Sequence, residues 1–212
     1  MFGALSMQAQ SQKPQVSLTE DTVKLIVSKQ IYVNAAGVVL WQASDYGELE
    51  GGVRVNLLNK YFPTLEVGMG LCDKTDDQTD AHFKASAPFA KIGCDYNFAR
   101  QKASGNRIYG GLRLGYTSFK YDLDAPAIND PYWSEQQMKL QYSNIKSNAM
   151  WVEALFGLET KIWRNFHMGW TARYKRCMKV KSADFGEPWY IPGYGKNQDH
   201  IFTGTFNLIY EF

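Results

Sequence analysis

The chain has 212 residues, a formal net charge of +2 and a mean hydropathy of -0.37. This length fits one domain or one eight-stranded barrel. No stretch approaches the roughly 18 uncharged apolar residues of a membrane-spanning helix, and the interleaved charges form no basic stripe for nucleic acid. A membrane β-barrel is not excluded, because every second residue of its strands can be polar. Aromatic residues make up 15% of the chain, with 13 Tyr, which suits the aromatic girdles of such a barrel.

The first nine residues resemble the end of a secretory signal peptide, with small residues at Ser6 and Ala9. We exclude this segment, 1–9, from the fold. Residues 10–29 are mostly polar, and we expect them to form a periplasmic arm ahead of the barrel. The three cysteines are far apart and odd in number, so no disulfide framework is expected.

From residue 31 onward, apolar and polar residues alternate with the period of two that is typical of strands. The first expected strand alternates poorly, because Ala35–Leu40 is almost wholly apolar. The second, fourth and sixth strands end in short turns, whereas the third, fifth and seventh end in long loops. The loop after the fifth strand spans about 122–145. The strands are expected at about 31–42, 48–58, 64–72, 83–99, 107–121, 146–162, 166–182 and 200–212.

Short turns at one end and long loops at the other are typical of outer-membrane barrels, in which the short turns and both termini are periplasmic. The predicted fold is therefore all-β: an eight-stranded antiparallel transmembrane β-barrel, arranged as a meander over residues 30–212.

The last strand alternates most clearly. Its large apolar residues share one face, while Thr203, Thr205 and Glu211 lie on the other. The strand resembles the C-terminal strand of bacterial outer-membrane barrels, where a terminal Phe follows alternating aromatic residues. That resemblance implies an assembly signal in Phe206, Leu208, Tyr210 and Phe212.

The polar face of the strands carries ionisable residues of both signs, with glycines between them that make room for long side chains. The interior of an eight-stranded barrel holds only side chains, and an unpaired charge there costs several kcal/mol. We expect ion pairs that close the lumen rather than a proton or ion path, since no chain of acids marks a route. The expected members are Glu50, Arg54, Glu66, Lys91, Asp95, Arg113, Glu153, Glu159, Lys161, Arg173 and Lys175.

Cations on the lipid-facing side occur only near the extracellular strand ends. A charge costs about 2–4 kcal/mol at the bilayer midplane and little at the interface. These residues are candidates for binding anionic lipid headgroups such as lipopolysaccharide phosphates, unless the strand ends simply stand in water. They are Lys84, Lys120, Lys146 and Arg176.

Few residues could serve in catalysis. His82 or His200 at the extracellular rim could be combined with Ser86 and an acid from 73–80 into a hydrolase or acyltransferase site. However, there is no G-x-S-x-G elbow and no metal-ligand spacing. We expect no enzymatic activity, no cofactor and no metal site.

Two loops containing Pro and Gly carry aromatic residues to the extracellular side. Exposed aromatic residues often mark contact surfaces, so these are candidates for contacting a partner protein. The alternative is that they pack on one another as a lid over the barrel mouth. They are Trp133, Trp189, Tyr190 and Tyr194.

The Gly-rich strands, the polar N-terminal arm and the I-Y-E-F ending make the chain resemble the small outer-membrane barrels of Bacteroidetes-type bacteria, in particular the DUF6048 family. The resemblance spans most of residues 10–212 and implies an accessory role in the barrel assembly machinery. We therefore expect a non-catalytic structural or accessory subunit in the cell outer membrane. Its expected partners are lipid, lipopolysaccharide and other outer-membrane or periplasmic proteins. A lipid-modifying enzyme, a small pore and a soluble ligand-binding barrel are the alternatives.

Overall fold

The computed structural model of the chain describes residues 25–77, 79–99, 106–128, 138–181 and 187–212. The predicted signal remnant at 1–9, most of the predicted arm and Trp133 lie outside the described residues. The elements, in chain order, are β1 (Ile26–Asn34), α1 (Ala35–Ala43), β2 (Tyr46–Leu57), β3 (Tyr61–Thr75), β4 (His82–Asn97), β5 (Arg107–Ile128), β6 (Met138–Trp163), β7 (Phe166–Val180), β8 (Tyr190–Ile191), β9 (Gly195–Lys196) and β10 (His200–Glu211).

Eight of the described strands close into one barrel in the order β1-β10-β7-β6-β5-β4-β3-β2, and β8 and β9 form a separate small hairpin. Every pair of neighbours around the ring is antiparallel. The predicted fold class, an eight-stranded antiparallel transmembrane β-barrel, is therefore confirmed.

The outer wall is apolar and the lumen is charged. Leu112, Phe202 and Ile92 are 68%, 72% and 62% exposed on the outside, whereas Glu66 and Glu153 are fully buried inside, at 0%. In water such an outer face would carry a large hydrophobic cost, but in a bilayer it contacts acyl chains. The predicted arrangement, with apolar side chains outside and ions inside, is confirmed.

Short turns and long connections lie at opposite ends of the barrel. Arg164–Asn165 joins β6 to β7, and Leu58–Lys60 joins β2 to β3, with positive φ of 55° at Leu58 and 44° at Arg164. β1 begins and β10 ends at this same end, where Lys29 and Phe212 exchange two backbone hydrogen bonds of 2.9 Å. The predicted topology is thus present, and by that pattern the turn end is the periplasmic one.

β5 and β6 are longer than a membrane span requires. They have 22 and 26 residues, where about 9–11 residues suffice. Their pairing continues to Ile128 and Met138 through two register shifts, so most of the connection predicted at 122–145 is strand and that prediction is wrong. Bulges interrupt the alternation of side chains, which is why the sequence pattern ended at Tyr121.

The predicted first strand, about 31–42, is wrong beyond Asn34. β1 begins earlier, at Ile26, so residues 26–29 belong to the barrel rather than to an arm, and residues 35–43 form α1. The Asn34 side chain accepts a hydrogen bond of 3.3 Å from the Gly37 amide and caps the helix. Because a helix satisfies its own backbone groups, this apolar segment does not need a strand partner.

α1 fills a gap in the barrel seam. Among the described residues, β1 pairs with 207–211 of β10, whereas β7 pairs with 200–210. Above this short pairing, α1 contacts both β10 and β2. Gly37 allows the close approach to β2, because a Cβ there would lie 2.1 Å from the Glu48 carbonyl oxygen. No helix in the described part of the chain is long and apolar enough to cross a membrane.

Candidate functional site: the lumen, its plug and the outer rim

The lumen contains the ion pairs that the sequence predicted, with one exception. Every predicted member except Lys161 is buried there. Lys161 is exposed at the periplasmic rim, where β6 ends in its turn, so its assignment to the lumen is wrong. Within about two residues of the turn, the inward side of the strand is already open to solvent.

Glu66 lies at the centre of the network. Its carboxylate accepts hydrogen bonds from the Tyr32 hydroxyl at 2.6 Å and from Arg113 Nε at 3.3 Å, and Arg173 reaches it at 3.2 Å. Arg113 also binds Asp95 through both terminal nitrogens, at 2.6 and 2.9 Å. This bidentate geometry fixes the guanidinium plane as well as its charge.

Above this centre, on the extracellular side, Lys91 joins three carboxylates. Its Nζ contacts Glu50, lies 3.2 Å from Glu153 and lies 3.4 Å from Glu48. Arg173 crosses from β7 to Glu50 at 2.8 Å. Because each carboxylate is shared by cations from different strands, these contacts lock the strand register around the ring.

The periplasmic end holds a second cluster, centred on Arg107. Its guanidinium contacts Glu159 and donates to both oxygens of Glu211, at 3.0 and 2.8 Å. Gln30 donates to the same two carboxylates at 3.0 and 2.9 Å. His167 lies between them, with Nδ1 3.1 Å from Glu159 and Nε2 3.3 Å from Glu211.

Glu159, His167 and Glu211 are close enough to hold a metal ion, since their ligand atoms lie within 4.8 Å of one another. The chemistry of the cluster does not fit a cation, however. Arg107 and Gln30 already donate to both carboxylates, and the guanidinium charge would repel a metal ion at this point. The cluster is therefore an ion-pair network rather than a cation site.

The sequence reasoning missed several members of the lumen. Arg107 shares the parity of Arg113 on β5, so the alternation could have identified it. Gln30 was missed because β1 was predicted to begin at about residue 31, and Tyr32 was missed because that strand alternates poorly and its inward face was not assigned. Glu48 lies at the mouth and contacts both Lys91 and Lys175.

The hairpin β8–β9 plugs the extracellular mouth. Ile191 and Tyr194 are buried at 0% and 1% in a cluster with Trp151 and Phe89. Lys175 rises from the lumen and donates its Nζ to the carbonyl oxygens of Gly193 and Tyr194, at 3.0 and 3.3 Å.

Two glycines let the plug enter the barrel. Gly193 has a φ of +81° and lies so close to Phe89 that a Cβ would be 2.4 Å from its ring. Gly70 faces the plug from β3, where a Cβ would lie 2.7 Å from the Cα of Pro192. Larger residues at either position would therefore displace the hairpin.

The prediction that the loop aromatics contact a partner is wrong for Tyr190 and Tyr194. Both side chains are buried, at 5% and 1%, because the hairpin folds back into the mouth, as the lid alternative described. Burial raises the pKa of Tyr194 to about 12 and raises the pKa of Tyr190 as well. Trp189 is 41% exposed, stacks on Phe83 at 5.7 Å and stays a candidate.

The residues weighed for catalysis come together only in part, since His82 meets an acid whereas the two histidines lie far apart. His82 lies on β4 and contacts Thr75 at 3.0 Å and Asp73 at 3.3 Å. His200 lies on β10, which three barrel strands separate from β4 in either direction, and it stacks on Tyr174. The prediction that the protein is not an enzyme stays a prediction.

The four outward cations are all exposed at the extracellular end of the wall. Lys84 is 3.1 Å from Asp73. Lys120 and Lys146 lie directly opposite each other on β5 and β6, and Arg176 lies opposite His200. The four residues of the predicted assembly signal follow the outward side of β10, where Leu208, Tyr210 and Phe212 are exposed.

The family described as "Domain of unknown function (DUF6048)" matches the chain over residues 1–211. No curated protein matches it. One similar structure is the crystal structure of Ail, the attachment invasion locus protein of Yersinia pestis, in complex with the heparin analogue sucrose octasulfate. Its sequence is 11% identical to this chain and the TM-score is 0.45; the match covers 87% of this chain and 97% of that one. The crystal structure of Neisserial surface protein A is 14% identical with a TM-score of 0.42, covering 87% and 92%. Both scores are below 0.5, so neither likeness adds to what the strand pairing shows.

Proposed function

The chain belongs to the DUF6048 family, whose function is unknown, and we propose that it is a non-catalytic outer-membrane β-barrel that acts as an accessory subunit of a protein complex. The complex implied by the family resemblance is the barrel assembly machinery. Lipid and lipopolysaccharide surround the barrel, and protein partners bind its outer wall. The Bacteroidetes-type origin implied by the same resemblance stays a prediction.

The closed lumen is the observation that carries this proposal. Ion pairs occupy the barrel from Glu211 at the periplasmic end to Lys91 in the upper half, and the β8–β9 hairpin fills the mouth above them. A pore needs a continuous water path, and a catalytic site needs reactive groups around an accessible cavity. A barrel with a filled lumen can instead bind other molecules through its outer surface.

The α1 sector is the part of that surface best suited to a protein partner. Val39 and Leu40 are 66% and 55% exposed beside the edge of β10 that β1 leaves free above Asn207. α1 interrupts the wall of strands at this point, and transmembrane segments associate through close van der Waals packing. We assign the partner contact to this sector.

Site-specific photocrosslinking in native outer membranes tests the assignment. A photoreactive residue at Val39 should crosslink to a protein, which mass spectrometry then identifies after mild-detergent purification. Leu112 is the matched control, because it is 68% exposed and lies on β5, diametrically opposite β1 in the ring. Crosslinks to lipid alone at both positions, with no outer-membrane protein co-purifying, would contradict the proposal.

Planar-bilayer recording tests the closed lumen separately. The purified barrel should give no conductance steps, because the ion pairs and the hairpin of the described residues fill the lumen. Regular steps from the unaltered protein would favour the small-pore alternative instead.

A further inference from the structure

Two lysines face each other across neighbouring strands on the outer wall. The register places Lys120 of β5 directly opposite Lys146 of β6, and both side chains are exposed. Opposite residues on one face of an antiparallel pair have Cβ atoms about 5 Å apart, and like charges in such a pair are destabilising. An anion between the two ammonium groups would remove this repulsion.

The neighbouring acids do not supply that anion. Among the described residues, neither lysine forms an ion pair within 4.0 Å, whereas nearby Lys84 is bound to Asp73 at 3.1 Å. Asp122, two residues beyond Lys120, lies opposite Lys84 in the register and accepts a hydrogen bond of 2.7 Å from the Asn144 amide. Lys120 and Lys146 therefore differ from Lys84, whose charge is already compensated.

The depth of the pair fits the headgroup layer of a membrane. The row below it is polar, with Ser118 opposite Asn148, and the next row is apolar, with Tyr116 opposite Met150. Four residues along a strand cover about 13 Å, which is about 10 Å along the membrane normal for a strand tilted by about 40°. The ammonium groups thus lie just outside the hydrocarbon region.

We propose that Lys120 and Lys146 together bind the phosphate group of a phosphorylated lipid of the outer leaflet. Lysine binds phosphate as a point charge, and a phosphomonoester carries close to two negative charges at neutral pH, which matches two ammonium groups. The proposal rests on the outer-membrane location proposed above. A laterally diffusing lipid reaches the wall at this depth, whereas a soluble polyanion would meet the rim first.

Native mass spectrometry of the full-length protein tests the site. The barrel is released in mild detergent from vesicles of phosphatidylcholine that contain a small fraction of lipid A. Bound lipid A should be retained with its phosphates and lost when they are removed enzymatically. K120Q/K146Q should weaken retention about 30-fold, since each basic residue near an anionic surface contributes about fivefold.

Two variants separate charge from structure. K120R/K146R should retain the lipid, and K161Q, which alters an exposed lysine at the opposite end, should behave like the unaltered protein. Equal retention by K120Q/K146Q, or equal retention of dephosphorylated lipid A, would overturn the proposal.

Two further measurements distinguish lipid phosphate from soluble phosphate, and separate a failure of this site from a failure of the outer-membrane proposal. If the solubilised protein binds pyrophosphate more tightly than it binds lipid A, the anion is a soluble one and the assignment to lipid is overturned. Flotation of the protein with the vesicles reports membrane insertion independently. Insertion without phosphate preference refutes only this site, whereas failure to insert refutes the outer-membrane proposal itself.

Discussion

Arg173 is the lumen cation whose removal tests the ion-pair network most directly. It lies 2.8 Å from Glu50, 3.2 Å from Glu66 and 3.4 Å from Glu153, and its side chain is only 2% exposed. Arg173→Met keeps most of the volume but leaves three carboxylates with one cation fewer. Removing one partner of a buried ion pair costs about 3–5 kcal/mol. We expect a loss of stability in the lower part of this range, because Glu66 still pairs with Arg113. Glu50 and Glu153 still pair with Lys91.

Urea unfolding in lipid vesicles, followed by the fluorescence of the six Trp residues, measures this loss. Glu50→Gln in the Arg173→Met background should restore about 1–2 kcal/mol, since it neutralises the carboxylate nearest to the missing charge. Lys161→Met, an exposed control, should change the free energy of unfolding by no more than about 0.5 kcal/mol. A loss of less than about 1 kcal/mol for Arg173→Met, or a double variant no more stable than the single one, would refute the network as a source of stability.

Two further predictions concern the plug and the seam. The hairpin should leave the barrel mouth in alkali. The pKa of Tyr194 is raised to about 12, against about 10 for a solvated phenol. The contribution of Tyr194 to hairpin stability is therefore fully present below about pH 10 and is lost as the pH rises through 12. Proteolysis of the hairpin should therefore accelerate in that window, and Tyr194→Phe should reduce the step to the part that Tyr190 contributes; a step of equal size in both proteins would contradict the assignment. Gly37→Val should destabilise the barrel by about 1–3 kcal/mol, because its Cβ would lie 2.1 Å from the Glu48 carbonyl, while Val39→Leu should be neutral. Heat denaturation of the purified barrel compares the two, and a neutral Gly37→Val would show that α1 does not pack on β2.

The alternation along each strand determined the fold class and the side on which each residue lies. A strand turns successive side chains to opposite faces, so Arg113 and Leu112 had to face opposite sides whatever their neighbours were. The same local rule located ten lumen charges and the outward residues of β10. It failed at Ala35–Ala43, where both parities are apolar and a period of two carries no information. There the Asn34 cap and the close contact with Glu48 stabilise a helix.

Tertiary structure alone decided which charges pair and what closes the mouth. Glu66 and Arg173 are 107 residues apart, and their contact depends on the register of strands on opposite sides of the ring. Tyr194 is buried because Lys175 and Trp151 lie where the hairpin folds back, and no local pattern in that loop records those partners. Local periodicity can assign a face, but contacts across an enclosed space depend on how the strands close around it.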